Sequence, residues 1–362
     1  MSDLNSLAPD NRDLSMFPGE YGLPFLGKTV EFVKDTLAMC NKHYEKYGPV
    51  SRLDMVKNQR VLMCLGPEFN EATLFDPKGN FSVAGGYASS LGGLYPDGML
   101  TRDDAKHKRT RRASQPAFKN DALKTYVDML IPIQERRIQD LPINEEFIFY
   151  DNIQKTLMDV AARVFIGLDE LSPEAKKLGH LFSEINEGLI TPLPYDLPFL
   201  QFRKSLKARE ELRQFFIENI PKRRGSNGLD MFTRYCNAKD EDGEYLDDID
   251  IDGHIAFLLF AAFDTTTSAL TNILYYLGKN PEWQDKVRNE IFSVTNEMPT
   301  FEDLAEMNLT EYVFQETLRF YPSVMVLNRR TTRDVNVAGY DIPANTVVMI
   351  SPPFTHRMEQ WW

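Results

Sequence analysis

Hydrophobic residues follow mainly helical patterns along this chain, and a few short alternating stretches predict strands. The longest pattern spans residues 251–278 and predicts one long helix. Its segment 255–263 is apolar on every face, which is typical of a helix inside a protein core. Asp264 and Thr265 follow directly, and a carboxylate placed in a core is costly unless it has partners. This break with the local pattern indicates either a functional position or a core helix whose polar cluster faces another polar group.

Other helical patterns cover residues 30–47 and 309–320, and two or three amphipathic helices are predicted between residues 121 and 167. A further helical pattern begins at residue 181 and ends near residue 190, where prolines begin. Most of the chain is therefore predicted to be helical.

Strand patterns are short and few. Residues 50–65 alternate as a β-hairpin that turns at residues 57–58, and residues 335–350 alternate as a second strand pair. Glycines crowd residues 81–100 and prolines crowd residues 191–198, so irregular loops are predicted there, the second shaped like a lid. We therefore predict a mainly α fold with small β-sheets, an α+β class, in one domain over residues 1–362.

Composition narrows the functional classes. The 362 residues are 43% hydrophobic and 26% charged, which is typical of a globular protein with a large core. A net charge of -12 argues against nucleic acid as the main partner. No secretory signal precedes Phe17, and no uninterrupted apolar run reaches the roughly 18 residues of a membrane span. A soluble protein without a membrane span is expected.

The chain has three cysteines, Cys40, Cys64 and Cys236. Their odd number and irregular spacing match neither a disulfide framework nor a metal site. Buried free thiols in a reducing cytoplasm are the expected state.

Two motifs occur in a fixed order along the chain. The first is Ala261-Ala262-Phe263-Asp264-Thr265-Thr266, and the second is Glu316-Thr317-Leu318-Arg319, followed by Phe320-Tyr321-Pro322. Together they resemble the oxygen-activation helix and the Glu-x-x-Arg helix of the cytochrome P-450 family, the haem-thiolate monooxygenases. The resemblance runs from Phe17 to Arg357, and Ala262 stands where the family usually has glycine.

This resemblance implies a haem cofactor and several residue roles. Thr265 would hold and protonate bound oxygen, and Asp264 would relay protons to it from water. Ala261 would lie against the haem. Glu316 and Arg319 would form a buried structural lock beneath it.

The basic run at residues 106–112 has three readings. A solvated helix face is the ordinary one, and nucleic-acid binding conflicts with the overall acidity. In the P-450 family, His107 and Arg111 match the pair that grips one haem propionate, and Arg329 matches a second anchor. The remaining basic residues would face outward to an acidic electron carrier of the ferredoxin or flavodoxin type: Lys108, Arg109 and Arg112.

The resemblance also places a substrate pocket in the glycine-rich loop, the long helix and the apolar segment after Pro322. The expected pocket residues are Tyr87, Leu91, Phe257, Phe260, Val324 and Val326. They suggest an elongated apolar substrate, such as a retinoid, sterol or fatty acid, hydroxylated with O2 and two electrons.

In the P-450 family the chain continues into a loop with the cysteine that binds iron, and no cysteine here has such a context. The sequence therefore resembles a member that is incomplete at its C-terminus, and this chain by itself is expected to be inactive. One alternative is a non-catalytic binder of apolar ligands or an inactive fragment. Another is a haem peroxygenase, although peroxygenases typically replace the acid–alcohol pair seen at Asp264 and Thr265.

Overall fold

The computed structural model describes residues 13–56, 59–191 and 193–362. The predicted turn at residues 57–58, and Pro192 of the predicted lid, lie outside the described residues. The chain forms two compact units. The first contains the described residues up to Pro96, together with Leu100–Asp103 and Val324–Trp362, and the second contains Asp97–Met99 and Asp104–Ser323.

Helices dominate the described residues, as predicted. In chain order they are α1 (Thr29–Lys34), α2 (Thr36–Tyr47), α3 (Pro67–Phe75), α4 (Val83–Tyr87), α5 (Asp104–Ser114), α6 (Asn120–Gln139), α7 (Phe149–Val160), α8 (Pro173–Ile190), α9 (Gln201–Arg223), α10 (Met231–Cys236), α11 (Asp248–Lys279), α12 (Pro281–Val294), α13 (Asn308–Phe320) and α14 (Pro352–Thr355). The strands are β1 (Gly19–Glu20), β2 (Val50–Met55), β3 (Gln59–Cys64), β4 (Phe81–Ser82), β5 (Leu327–Thr331), β6 (Val335–Val337), β7 (Tyr340–Ile342) and β8 (Val347–Ile350).

A six-stranded mixed sheet organises the first unit, in the order β1-β2-β3-β8-β5-β4. The predicted hairpin is confirmed, since β2 and β3 pair antiparallel from Val50 opposite Cys64 to Met55 opposite Gln59. Strands β3 and β8 pair in parallel at the centre and are buried on both faces. Alternate side chains of these strands enter two separate hydrophobic clusters, because successive residues of a strand point to opposite faces.

Two local predictions need correction in this unit. The predicted helix over residues 30–47 breaks at Asp35, whose carboxylate accepts a hydrogen bond from the amide of Ala38 and so caps α2. The predicted strand pair over residues 335–350 divides in two: β6 and β7 form a hairpin, whereas β8 joins the large sheet. The β6–β7 hairpin agrees with the predicted strand pair. Strand β8 instead pairs with β3 and β5 of the larger sheet.

The second unit is helical and surrounds α11, which is 32 residues long. The carboxylate of Asp247 accepts from the amide of Asp250 and starts this helix, and the helix ends before Asn280 and Pro281. Among the described residues, α11 has the length and apolar composition that a membrane crossing requires. Residues 250–257 are all buried in the protein, whereas only 17% of the apolar window that meets this requirement is buried. The single long helix predicted from the sequence is confirmed.

A buried ion pair accounts for an acidic residue in the apolar part of α11. Arg209 of α9 donates two hydrogen bonds, of 3.0 and 2.7 Å, to the carboxylate of Asp252. The two side chains are only 8% and 4% exposed. Because both charges are removed from water, each depends on the other.

Candidate active site

The predicted acid–alcohol pair lies near the middle of α11. The hydroxyl of Thr265 donates to the carbonyl oxygen of Ala261, one turn earlier, at 2.6 Å. Ser323 follows α13, and its hydroxyl donates to the carbonyl oxygen of Thr265 at 2.7 Å. Two ties therefore hold Thr265, one through its side chain and one through its backbone. Since its own proton is directed at Ala261, the lone pairs of the Thr265 hydroxyl remain able to accept a hydrogen bond.

Asp264 differs from the sequence prediction, because its side chain is exposed to solvent and is not buried in the core. One carboxylate oxygen accepts a hydrogen bond of 3.3 Å from the amide of Asn186 on α8. Protein atoms crowd the carboxyl group and displace part of its hydration, which raises its pKa. A carboxyl group that contacts solvent and holds its proton more firmly than usual is suited to proton transfer.

The raised pKa of Asp264 predicts a pH-dependent stability difference. The folded carboxyl group ionises at a higher pH than the unfolded one, so folding stability falls as the pH rises through the folded pKa. Asp264→Asn removes this loss. We expect the variant and the parent protein to be closest in stability at acidic pH, and the variant to be more stable at pH 8. Urea unfolding at several pH values measures the difference, and a gap that does not widen with pH would contradict the prediction.

Aromatic rings precede the acid–alcohol pair on the same helix. The ring centroids of Phe257 and Phe260 are 5.8 Å apart, and Phe182 of α8 meets Phe263 edge to face at 5.6 Å. A Cβ atom on Gly98 would lie 2.6 Å from the Phe257 ring, so only glycine allows the chain to approach there. The second unit thus brings two predicted pocket residues, Phe257 and Phe260, together.

The other predicted pocket residues belong to the first unit. The amide of Asn328 donates to the hydroxyl of Tyr87 at 3.5 Å, and Leu91 is buried. Val324 is exposed, whereas Val326 packs against a core cluster of the sheet. Their role in substrate binding stays a prediction.

The predicted propionate anchors occupy defined positions. His107 and Arg111 lie one turn apart on α5, Arg111 exposed and His107 partly buried. Arg329 lies on β5 of the first unit, where its guanidinium donates to the carbonyl of Asn328 at 2.8 Å. The shared face of His107 and Arg111 agrees with the spacing argument, and haem binding by these residues stays a prediction.

The prediction that the outward basic face of α5 is available to an electron carrier needs a correction. An acidic loop of the chain itself occupies part of this face. Arg109 donates to the carboxylate of Asp240 at 2.9 Å through Nε and approaches it to 2.7 Å through Nη2. Arg112 pairs with Glu241. The bond from Arg109 lowers the pKa of Asp240, and the reciprocal bond raises the pKa of Arg109. An external carrier would therefore have to compete for these two arginines.

Glu316 and Arg319 form the predicted pair on α13, with two hydrogen bonds of 2.6 Å. The burial that the family resemblance implies for this pair is not seen in this chain, since the Glu316 side chain is 64% exposed. The pair borders an open groove of about 460 Å³ between α11, α12 and α13, whose walls include Tyr276, Trp283 and Tyr312.

The three cysteines are all buried and free, as predicted. Burial raises the pKa of Cys40 to about 11 and of Cys236 to about 12, and it raises the pKa of Cys64 as well. A thiol held in this way is a poor source of the thiolate that a metal requires. Among the described residues no group of three His, Cys, Asp or Glu side chains could hold a metal ion. None of these three buried cysteines is suited to bind a haem iron, and the roles of the α11 residues at a haem stay predictions.

The sequence pattern of the cytochrome P450 family matches residues 17–362. The chain belongs to the cytochrome P450 family. Haem is the cofactor of this family, and its members are oxidoreductases. The putative cytochrome P450 136 of Mycobacterium tuberculosis is 29% identical over 98% of this chain and 72% of its own length. The taxoid 14-beta-hydroxylase of Taxus cuspidata is 26% identical over 95% of this chain and 70% of its own length.

The fold comparison agrees with the sequence comparison. A structure of a cyanobacterial P450, CYP120A1, with retinoic acid bound is similar, with a TM-score of 0.85 and 27% sequence identity. The match covers 94% of this chain and 78% of that chain. The predicted mainly α fold with small sheets, the monooxygenase family and the haem cofactor are thereby confirmed.

Proposed function

We propose that this P450 hydroxylates an elongated apolar small molecule of the retinoid, sterol or fatty-acid kind with O2 and two electrons. The observation that carries the proposal is the arrangement on α11, where the Phe257–Phe260 ring pair precedes Asp264 and Thr265 by about one to two turns. Apolar rings would bind the substrate, and the polar pair would handle protons beside it. The retinoic acid in CYP120A1 and the taxoid in the Taxus enzyme's name support an extended isoprenoid-type substrate.

We assign roles to the chain's own residues as follows. Thr265, held by Ala261 and Ser323, accepts and passes on a proton, and Asp264 replaces that proton from solvent. His107, Arg111 and Arg329 would bind the haem propionates, because charged donors bind carboxylates strongly. Ala261 would lie beside the ring. The bound haem supplies the activation of dioxygen.

An isotope experiment tests this proposal. A longer protein that contains this chain together with an iron-binding cysteine is loaded with haem, supplied with an electron donor and incubated with retinoids, sterols and fatty acids under ¹⁸O2. We expect one ¹⁸O atom in the hydroxylated product. Label that enters only from ¹⁸O-peroxide would favour the peroxygenase alternative. Ligand binding without product, in a preparation confirmed to contain haem, would favour the non-catalytic binder.

We propose further that the electron donor is a ferredoxin- or flavodoxin-type protein that docks on α5. Arg109 and Arg112 are about half exposed, and each is paired with an acidic residue of the chain itself. The carboxylates of an acidic carrier would replace those of Asp240 and Glu241 at the two arginines. Binding should therefore be sensitive to ionic strength.

This docking proposal predicts the effect of freeing the two arginines. Asp240→Asn with Glu241→Gln should tighten the binding of an acidic ferredoxin about twofold to tenfold at low salt, because each lost internal ion pair is weak. Isothermal titration at several salt concentrations measures the effect. Glu302→Gln is the matched control, since it breaks the exposed pair between Lys124 and Glu302 on another helix. Equal effects of the two changes would contradict docking on α5.

We also propose that the protein is cytoplasmic and does not span a membrane. The buried free thiols agree with a reducing compartment. The buried first half of α11 agrees with a core helix.

A further inference from the structure

Asp264 faces α8 and not only its own helix. Its carboxylate accepts from the side-chain amide of Asn186, at 3.3 Å, across the interface between α8 and α11. The neighbouring Thr265 behaves differently, because its hydroxyl donates back into α11. The two members of the acid–alcohol pair therefore bond to different elements, and a side chain of α8 donates to the carboxylate.

Tyr150 of α7 lies close enough to Asp264 for the carboxylate charge to influence the pKa of its phenol. Burial raises the pKa of the Tyr150 phenol first, and the nearby negative charges of Asp264 and Asp151 raise it further. The amide of Gln154 donates to the Tyr150 hydroxyl at 3.2 Å. Tyr150 is 41% exposed. Polar groups of α7 and α8 thus lie near the solvent-exposed carboxylate of Asp264.

We propose that Asn186 is a positioning residue for Asp264, whose solvent-exposed carboxyl group takes up protons beside Tyr150 and Gln154 of α7. This inference rests on the proposed function, in which Asp264 resupplies protons. In each cycle the Asp264 carboxyl group releases one proton toward Thr265 and is reprotonated by one proton from bulk solvent. Asn186 only donates a hydrogen bond, and no electrons move.

A neutral amide is better suited than a cation to position a carboxyl group that must both hold and release a proton. Lysine or arginine at this position would favour the ionised carboxylate strongly and lower its pKa. Asparagine can orient the same carboxylate without adding a positive charge. The crowding of protein atoms around the carboxyl group then still holds the pKa of Asp264 above its ordinary value. Asp264 can then hold a proton and release it.

The geometry can be tested without any turnover. The titration of Asp264 is followed by carbon NMR in protein with labelled aspartate, and the signal is assigned by its loss in Asp264→Asn. In Asn186→Leu the midpoint should move to higher pH, because a donor to the charged form is lost. In Asn186→Asp it should move further, because a like charge is added. Asn219→Leu is the matched control, since its amide donates within α9 to the carbonyl of Phe215.

The proximity of Tyr150 to Asp264 is tested by a separate titration. In Asp264→Asn the ultraviolet titration of Tyr150 should move to lower pH, since one of the charges that raise its pKa is gone. Unchanged titration of Tyr150 in Asp264→Asn, or of Asp264 in both Asn186 variants, would overturn the inference. Thermal melts confirm folding, and Asn186→Ser replaces Asn186→Leu if leucine disturbs the interface.

Turnover by a haem-loaded protein that also carries the iron-binding cysteine distinguishes this inference from the proposed function. We expect Asn186→Leu to lower product formed per electron about fivefold, roughly what one neutral hydrogen bond contributes, and Asn186→Gln to restore part of it. If Asp264→Asn leaves this ratio unchanged, the proposed role of Asp264 is wrong. If Asp264→Asn lowers the ratio and Asn186→Leu does not, only the positioning role is wrong.

Discussion

Replacing Arg209 by alanine is expected to lower the free energy of unfolding by about 3 to 5 kcal/mol. The variant leaves Asp252, which is 4% exposed on its side chain, without its two hydrogen bonds from Arg209. An uncompensated charge in this position is costly, and Arg213, at 3.9 Å, is too far from the carboxylate to replace the lost bonds. A loss of this size is a large part of the stability of an ordinary domain. Urea unfolding with and without the substitution measures it.

Two further variants show whether the loss comes from the buried charge. Arg209→Met combined with Asp252→Leu removes both charges and should recover most of the stability. Lys177→Ala is the control on a surface pair, because Lys177 and Glu211 join α8 to α9 with side chains 64% and 48% exposed. It should cost less than about 1 kcal/mol. A similar loss in Arg209→Ala and Lys177→Ala would mean that the buried pair contributes no more than a surface pair.

Replacing Thr265 by alanine is expected to separate oxygen consumption from hydroxylation in a haem-loaded protein that also carries the iron-binding cysteine. The variant removes the hydroxyl that passes protons onward, while the Ser323 bond to the backbone carbonyl of residue 265 remains. Because positioned proton transfer contributes about 10² to 10⁴-fold to rates, we expect a fall in product per electron of at least about tenfold. Released peroxide should account for the lost electrons. Product, peroxide and electron consumption are measured together.

A second threonine of α11 provides the control for this prediction. The hydroxyl of Thr267 also donates to a carbonyl one turn earlier, that of Phe263 at 2.9 Å. Thr267→Ala therefore makes the same chemical change on the same helix at a buried position. It should leave the product ratio close to that of the parent protein, and Thr265→Ser should retain most of it. An equal fall in product per electron in Thr265→Ala and Thr267→Ala would mean that a general change in the helix causes it and that the Thr265 hydroxyl does not.

Local patterns were sufficient for much of the fold. The apolar run and its flanking acidic residues predicted α11, and the pattern before Phe320 predicted α13. The alternation over residues 50–65 predicted the β2–β3 hairpin. Each of these depends on residues close together in sequence, whose periodicity records which face is buried. The pairing of Glu316 with Arg319 was predictable for the same reason, since residues three apart are neighbours on a helix.

The motifs also identified the family, because their order along the chain is more specific than either motif alone. The roles of His107, Arg111 and Arg329 at a haem stay predictions. So do the substrate contacts of Tyr87 and Leu91.

Tertiary structure decided what depends on distant segments. No local pattern shows that β8 pairs with β3, nearly 290 residues earlier in the sequence. The same is true of the bond from Asn186 to Asp264, 78 residues apart, and of the pairing of Arg109 with Asp240, 131 residues apart. Burial depends equally on such neighbours, which is why Asp264 and Glu316 are exposed although their motif suggested otherwise. Sequence by itself determined the helices and the chemical groups on them, whereas long-range packing determined which of those groups meet water, a partner or each other.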